Sequence, residues 1–296
     1  MKASHYSTVT HGSSIYNRFR KDYQAGITAD VVISSAMDLQ ITLVNEGYAD
    51  RHDTETHPWL PEWAQWRNEA FGFTYEPAVL VYNQKLLTAE QIPENRFQLL
   101  DLLNEQREFF TGRIGTYDIA RSGLGYLFAS QEAEQASTWG RLVESMRRVN
   151  VRLYENTGTM LDAVRNGELL MAYNVLGSYA FAYAERHPEL KLQLLNDYTL
   201  VMSRVAFVSR RARNKKLGHL FLDYLLSERA QQLLATEARL YPIHPAINHE
   251  VSFSGLERVL TGRGPFKTIK LGPALLTYQD RMKKHRFLQE WKAVLE

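Results

Sequence analysis

Short apolar runs rich in β-branched residues alternate with longer stretches whose apolar positions recur at helical spacing, over most of the chain. That alternation predicts an α/β protein in which parallel strands are joined by helices. Strands are expected at 30–33, 78–82, 113–116, 170–173, 191–195 and 200–208. Helices are expected at 14–25, 37–46, 97–104, 123–133, 137–149, 159–166, 177–186, 216–225 and 227–237. A closing segment, 274–294, sets Leu275, Leu276, Met282, Phe287, Leu288 and Trp291 on one stripe among many lysines and arginines. It reads as a helix packed over the outside of a lobe, its basic face solvated. No internal repeat or low-complexity linker interrupts the pattern.

Composition narrows the classes. With 296 residues and 45% hydrophobic content, the chain can build one large domain or two medium ones. Lys and Arg number 35 against 33 Asp and Glu, and a net charge of +2 supplies no broad basic field, so nucleic acid is not an expected partner. With no cysteine there is no disulfide, thiol nucleophile or zinc-thiolate site, and any metal would rest on histidine and carboxylate. This leaves the compartment open, since cytosolic and periplasmic proteins both do without disulfides. Residues 1–10 carry a lysine but no apolar stretch after it, so no secretory leader is expected there. The longest uncharged stretch, 169–184, falls short of the roughly 20 apolar residues of a membrane helix and contains Asn174, Gly177 and Ser178, so a soluble protein is expected.

Candidate chemistry lies at strand ends, where open parallel sheets hold ligands against the amides of the following helices. At 29–38 a strand stops at Ser34 and Ser35 and a helix opens; either hydroxyl can cap that helix or reach an oxyanion. At 114–123, Arg121, Ser122 and Gly123 place a cation, a hydroxyl and a flexible residue at a helix start. Arg121 can grip a carboxylate or phosphate through two parallel bonds, or pair with a nearby acid. At 154–159, Gly158 admits close backbone approach between the hydroxyls of Thr157 and Thr159, as in an anion cradle. Recurrence at successive strand ends is the stronger signal, since a binding site must converge and independent caps need not.

Two further segments set polar groups in apolar surroundings. Asn174 follows a buried strand directly after Tyr173, and its amide needs a partner from backbone, water or ligand. Glu76 stands beside Tyr75 just before another strand. Tyr75 and Tyr173 can stack on a solute or belong to the core. No Ser-His-acid order, metalloprotease helix, phosphate-binding loop or dinucleotide fingerprint occurs, so no enzyme is expected. The pairs His52 with His57 and His244 with His249 have no metal-ligand spacing, and read as surface or capping histidines; no metal or cofactor is expected.

The run ADVVISSAMDLQITLVNEGY at 29–48 resembles the substrate-binding proteins of ABC importers, in the branch usually labelled ferric-iron type. The resemblance continues through YEPAVLVYN at 75–83, RIGTYDIARSGLGY at 113–126, YENTGTMLDAVRNGE at 154–168, MAYNVLGSYA at 171–180 and DYTLVMSRVAFV at 197–208. It implies a type 2 periplasmic binding fold: two α/β lobes, 1–81 with 197–296 and 82–196, joined by two crossing strands with solute between them. The crossing strands would lie near 78–82 and 200–208. It implies a periplasmic location and, as partner, an ABC permease in the inner membrane or a sensor kinase. Ferric-binding members use adjacent tyrosines, and 173–179 contains no such pair, so iron is an alternative to the expected small anionic solute, a phosphorylated or carboxylated metabolite. The leader, first strand and first helix that precede 11–25 in the family are expected to be missing here, opening a sheet position to strand exchange with a second copy.

Overall fold

The computed structural model describes residues 12–52, 57–135, 137–252, 255 and 264–295; the leader expectation for 1–10 lies outside them. The first elements in chain order are α1 (Gly12–Gln24), β1 (Val31–Ser34), α2 (Met37–Asn45), β2 (Gln65–Trp66), β3 (Ala70–Gly72) and β4 (Glu76–Asn83). Next come α3 (Arg96–Glu105), α4 (Arg107–Phe110), β5 (Ile114–Tyr117), α5 (Gly123–Gln135), α6 (Trp139–Arg148), β6 (Arg152–Tyr154) and α7 (Thr157–Arg165). The chain continues through β7 (Met171–Leu176), α8 (Gly177–Ala184), β8 (Leu190–Gln193), β9 (Thr199–Met202) and β10 (Val205–Val208). It closes with α9 (Lys215–Leu226), α10 (Glu228–Thr236), β11 (Phe266–Thr268) and α11 (Arg281–Leu295).

The strands form two sheets in a mixed α/β architecture, the type 2 periplasmic binding fold. One sheet has the order β1-β10-β3-β2 and the other β11-β9-β4-β7-β5-β6, with β8 beside β4. Apolar side chains of both, including Val32, Phe71, Phe207, Val79, Leu176 and Val201, share one core. A second cluster packs α3 and α6 on the second sheet through Leu99, Leu103, Leu142 and Met146.

Most elements lie within a few residues of their expected bounds, but three expectations need correction. Parallel pairing occurs at β5 with β6 and β7 and at β9 with β11; every pairing of the first sheet and of β4 is antiparallel. The reason is topological: β4 enters the second sheet from the first, and the returning chain runs against it. The single strand expected at 200–208 is two strands in different sheets, broken at Ser203 and Arg204. There the Arg204 amide donates to Thr74 Oγ1 at 2.8 Å and Ser203 Oγ accepts the Thr74 amide at 3.2 Å.

The closing segment is also not one helix over the outside of a lobe. Pro273–Leu276 forms a 3-10 turn beside α2, and α11 starts where Asp280 Oδ1 accepts the amides of Met282 and Lys283. Farther on, Trp291 stacks on Trp139 of α6 with ring centres 5.8 Å apart. The segment therefore spans from α2 to α6. The short elements β2, β3, α4, β6 and β11 carry too few residues for periodicity to register.

Candidate functional site

The chain passes from the first sheet to the second between β3 and β4 and returns between β9 and β10, and a polar cluster fills that double junction. Arg204 donates through Nε to Glu76 Oε1 at 2.8 Å and through Nη2 to Oε2 at 3.2 Å. Thr74 Oγ1 donates to Oε1 at 2.8 Å, and the Ser178 hydroxyl donates to Oε2. Glu76 is wholly buried, so these four donors replace its hydration. Burial disfavours the charged Arg204 guanidinium, but the Glu76 carboxylate outweighs it and holds the pKa above the ordinary arginine value. Its Cζ lies 5.1 Å from the Tyr179 ring.

Beside this cluster, Tyr117 ends β5 and gathers three helix starts. Its hydroxyl lies 2.6 Å from Thr157 Oγ1, the first residue of α7, and accepts the amide of Leu176, which precedes α8. A Cβ at Gly125 would stand 2.3 Å from Tyr117 Cβ, so α5 can lie this close only with glycine there. A Cβ at Gly177 would meet the Pro77 carbonyl oxygen at 2.5 Å, which sets the first turn of α8 directly on β4. Burial pushes the Tyr117 phenol up to about 12 against the bonds from Thr157 and Leu176, so it stays a neutral phenol.

The candidate residues fall into distinct places around this centre. Thr157 is buried at the hub, while Gly158 and Thr159 are exposed in the first turn of α7, whose cap is Asn156 Oδ1 accepting the Thr159 amide at 3.0 Å. Ser122 Oγ accepts the Gly125 amide at 3.1 Å and so caps α5, which starts at Gly123. Ser34 Oγ accepts the Ala36 amide at 3.1 Å, and the Ser35 carbonyl accepts that of Met37, so both shape the turn into α2. Arg121 is mostly exposed and pairs with Glu155 at 2.6 Å.

A small cavity of about 50 Å³, open to solvent, lies between the starts of α2 and α5, lined by Asp38, Arg121, Ser122, Tyr126, Gln279 and Lys284. Asp38 accepts a hydrogen bond from the Gln279 side chain and leaves its other oxygen buried without a partner among the described residues. Burial pushes its carboxyl up to about 6 against the pull of Lys284. Burial likewise lowers the pKa of Lys284, with Asp38 opposing.

Tyr173 and Asn174 belong to a different cluster. Asn174 Nδ2 donates to Glu132 Oε1 at 3.3 Å, and Glu132 is gripped by Arg96 Nε at 2.8 Å and Nη2 at 2.6 Å. Arg96 also reaches Asp197 and the Tyr198 carbonyl, and its Cζ lies 5.9 Å from the Tyr173 ring. Burial raises the Tyr173 pKa, with Arg96 opposing. Both residues are thus committed to the interior, and neither bonds to Tyr117, Thr157 or Glu76.

Sequence reasoning did not single out Arg204, Tyr117, Ser178, Asp38 or Lys284. Ser203 and Arg204 do carry a signal, a polar pair inside an apolar run, and Tyr117 stands at a strand end close to Arg121 and Ser122.

A family model described as bacterial extracellular solute-binding protein matches residues 3–237. Among curated proteins, none matches. A solved substrate-binding protein of an ABC transporter from Agrobacterium tumefaciens is 36% identical, with a TM-score of 0.90, over 97% of this chain and 84% of that one. Iron-bound HitA from Pseudomonas aeruginosa is 20% identical at a TM-score of 0.71, over 96% of this chain and 88% of its own. AfuA from Actinobacillus pleuropneumoniae, solved with fructose-6-phosphate, is 16% identical at 0.76, over 98% and 89%. The last two are similar in fold.

Proposed function

Because this chain belongs to the bacterial extracellular solute-binding protein family, we propose that it holds a small phosphorylated or carboxylated solute between two lobes, 1–81 with 197–296 and 82–196. It serves an ABC transporter, whose permease takes the solute unchanged from the closed protein, and works in the periplasm.

The observation that carries the anionic reading is the Tyr117 hub. The starts of α5, α7 and α8 meet there, and the first amides of a helix carry partial positive charge without an intrahelical partner. Thr157, Gly158, Thr159, Ser122 and Gly123 supply hydroxyls and close backbone, with Arg204 and Tyr179 alongside. The adjacent acid, Glu76, is already matched by Arg204, so it does not repel an incoming anion. A ferric ion would want several free oxygen anions, and here Glu76 accepts from Arg204 and the Tyr117 oxygen accepts the Leu176 amide. Ser34, Ser35 and Arg121 would close on the solute from the rim. The fold neighbour solved with fructose-6-phosphate is consistent with a sugar phosphate. The β1 edge ends its sheet among the described residues, so self-association by strand addition would use that edge.

The test is a thermal-shift and solution-scattering panel of sugar phosphates, phosphonates, carboxylates and ferric citrate on protein freed of carried-over solute. A phosphorylated or carboxylated compound should raise Tm and compact the particle. Compaction by ferric ion alone, or by no anion of the panel, overturns the reading.

A further inference from the structure

A second group of polar side chains converges away from the cavity between α2 and α5, on the face of the first sheet covered by α9. Its members are His52, His57, His219, Asp50 and Asp223, and none lines that cavity. His219 and Asp223 stand one turn apart on α9 and so share a side of it. His52 Nε2 lies 2.8 Å and His57 Nε2 3.1 Å from one oxygen, Asp223 Oδ1. The other ring nitrogen of His52 lies 3.0 Å from His219 Nδ1, the rings being stacked, and His219 Nε2 lies 3.1 Å from Asp50 Oδ2.

Counting protons shows what this arrangement lacks. The line Asp50, His219, His52, Asp223 contains three contacts, each of which needs one hydrogen between its two atoms. Two neutral imidazoles carry one N–H each, so one contact is left with lone pairs facing each other. His57 adds another nitrogen against the same Asp223 oxygen. A cation at the meeting point of His52, His57 and Asp223 removes the conflict.

We propose that His52 Nε2, His57 Nε2 and Asp223 Oδ1 form a binding site for a divalent transition-metal ion of the zinc class, separate from the solute cleft. With the ion there, the His52 Nδ1–H donates to His219 Nδ1 and the His219 Nε2–H donates to Asp50. This is the chain of outer partners that fixes the tautomer and basicity of a metal-bound histidine. Two imidazoles and a carboxylate, without thiolate, suit Zn²⁺ with a fourth position left for water. The three donor atoms lie within 4.8 Å of one another. A tetrahedral ion with bonds of about 2.0–2.1 Å wants roughly 3.3 Å between donors, close to the 2.8 and 3.1 Å that separate the two imidazole nitrogens from Asp223 Oδ1. Asp223 and Asp50 outweigh Lys215, which donates to Asp50 at 2.8 Å, so the pocket carries net negative charge. Both histidines are buried, while Asp223 keeps 36% of its side chain exposed and opens the path to solvent.

The test uses the full chain without an affinity tag, stripped with chelator and titrated with ZnCl₂ by calorimetry, then loaded with Co²⁺ for visible absorption. The expected result is one tight equivalent of zinc in the wild type and the intense d–d bands of four-coordinate cobalt. His57→Gln and Asp223→Asn should each abolish that equivalent. His219→Gln, which removes only the outer partner, should weaken binding by about tenfold to a hundredfold. Solute binding by the same variants should be unchanged. If His57→Gln or Asp223→Asn fails to fold, the wild-type cobalt spectrum decides alone. A wild type that takes up no zinc equivalent, or gives only the weak bands of hexa-aqua cobalt, overturns the proposal and leaves the cluster held by an additional proton.

Discussion

Arg204 grips Glu76 through both carboxylate oxygens at the two points where the chain changes sheet, one residue on the outgoing path and the other on the return. Removing the cation alone strands a wholly buried carboxylate. Arg204→Leu is therefore expected to lose about 3–5 kcal/mol, and Arg204→Leu with Glu76→Gln to lose less than the single variant, because the uncompensated charge is gone. Urea unfolding of the three proteins checks this; a double variant less stable than Arg204→Leu would show that the hydroxyls of Thr74 and Ser178 compensate the buried carboxylate without the arginine.

Gly125 lets α5 lie against Tyr117, and Tyr117 in turn holds Thr157. A methyl group at Gly125 has to displace the base of the Tyr117 side chain. Gly125→Ala is expected to cost about 1–3 kcal/mol by overpacking and to weaken solute binding along with stability. An exposed-glycine control in α6, Gly140→Ala, meets nothing within 4 Å and should leave solute binding unchanged while raising stability by about 0.5–1 kcal/mol, the ordinary gain of alanine over glycine in a helix. Equal solute affinity in wild type and Gly125→Ala would separate Tyr117 from the solute site.

The anchoring of α11 gives a third expectation. Trp291 is buried against Trp139, and the same helix carries Lys284 to Asp38. Trp291→Ala should lower hydrogen-exchange protection in α11 by roughly two orders of magnitude, the equivalent of about 3 kcal/mol of lost packing. Protection in the strands of the first sheet should stay as it was. A uniform drop over the whole chain would mean that α11 is part of the cooperative core.

Local signals were legible in the residues and long-range ones were not. The β-branched runs and helix spacing located most elements, and Ser122 and the 154–159 segment announced the helix starts they form. Arg204 broke an apolar run visibly, yet its partners Thr74 and Glu76 lie 130 and 128 positions away, and no local pattern names them. Asn174 reads as an amide in need of a partner, but that partner, Glu132, sits on a helix 42 positions earlier. His52 and His57 had an uninformative spacing because the group that unites them, Asp223, is 166 positions beyond His57.

Asp38 makes stability depend on pH in a stated direction. Its carboxyl is 2% exposed and its pKa is raised from 3.8 to about 6, chiefly by burial, with Lys284 from α11, Gln279 and nearby amides opposing and Tyr126 of α5 facing it. A folded-state value above the unfolded one means that the native protein binds this proton more tightly. The resulting stabilisation is complete below about pH 3.8 and is lost as pH rises through about 6; a shift of about two units amounts to about 3 kcal/mol. Asp38→Asn keeps an oxygen for the Gln279 donor and cannot ionise. The stability of wild type minus that of Asp38→Asn should therefore fall by up to about 3 kcal/mol between pH 4 and pH 7 in urea titrations. A difference that stays flat across that range would mean that the carboxyl is hydrated in solution and that the contact of α11 with α2 opens.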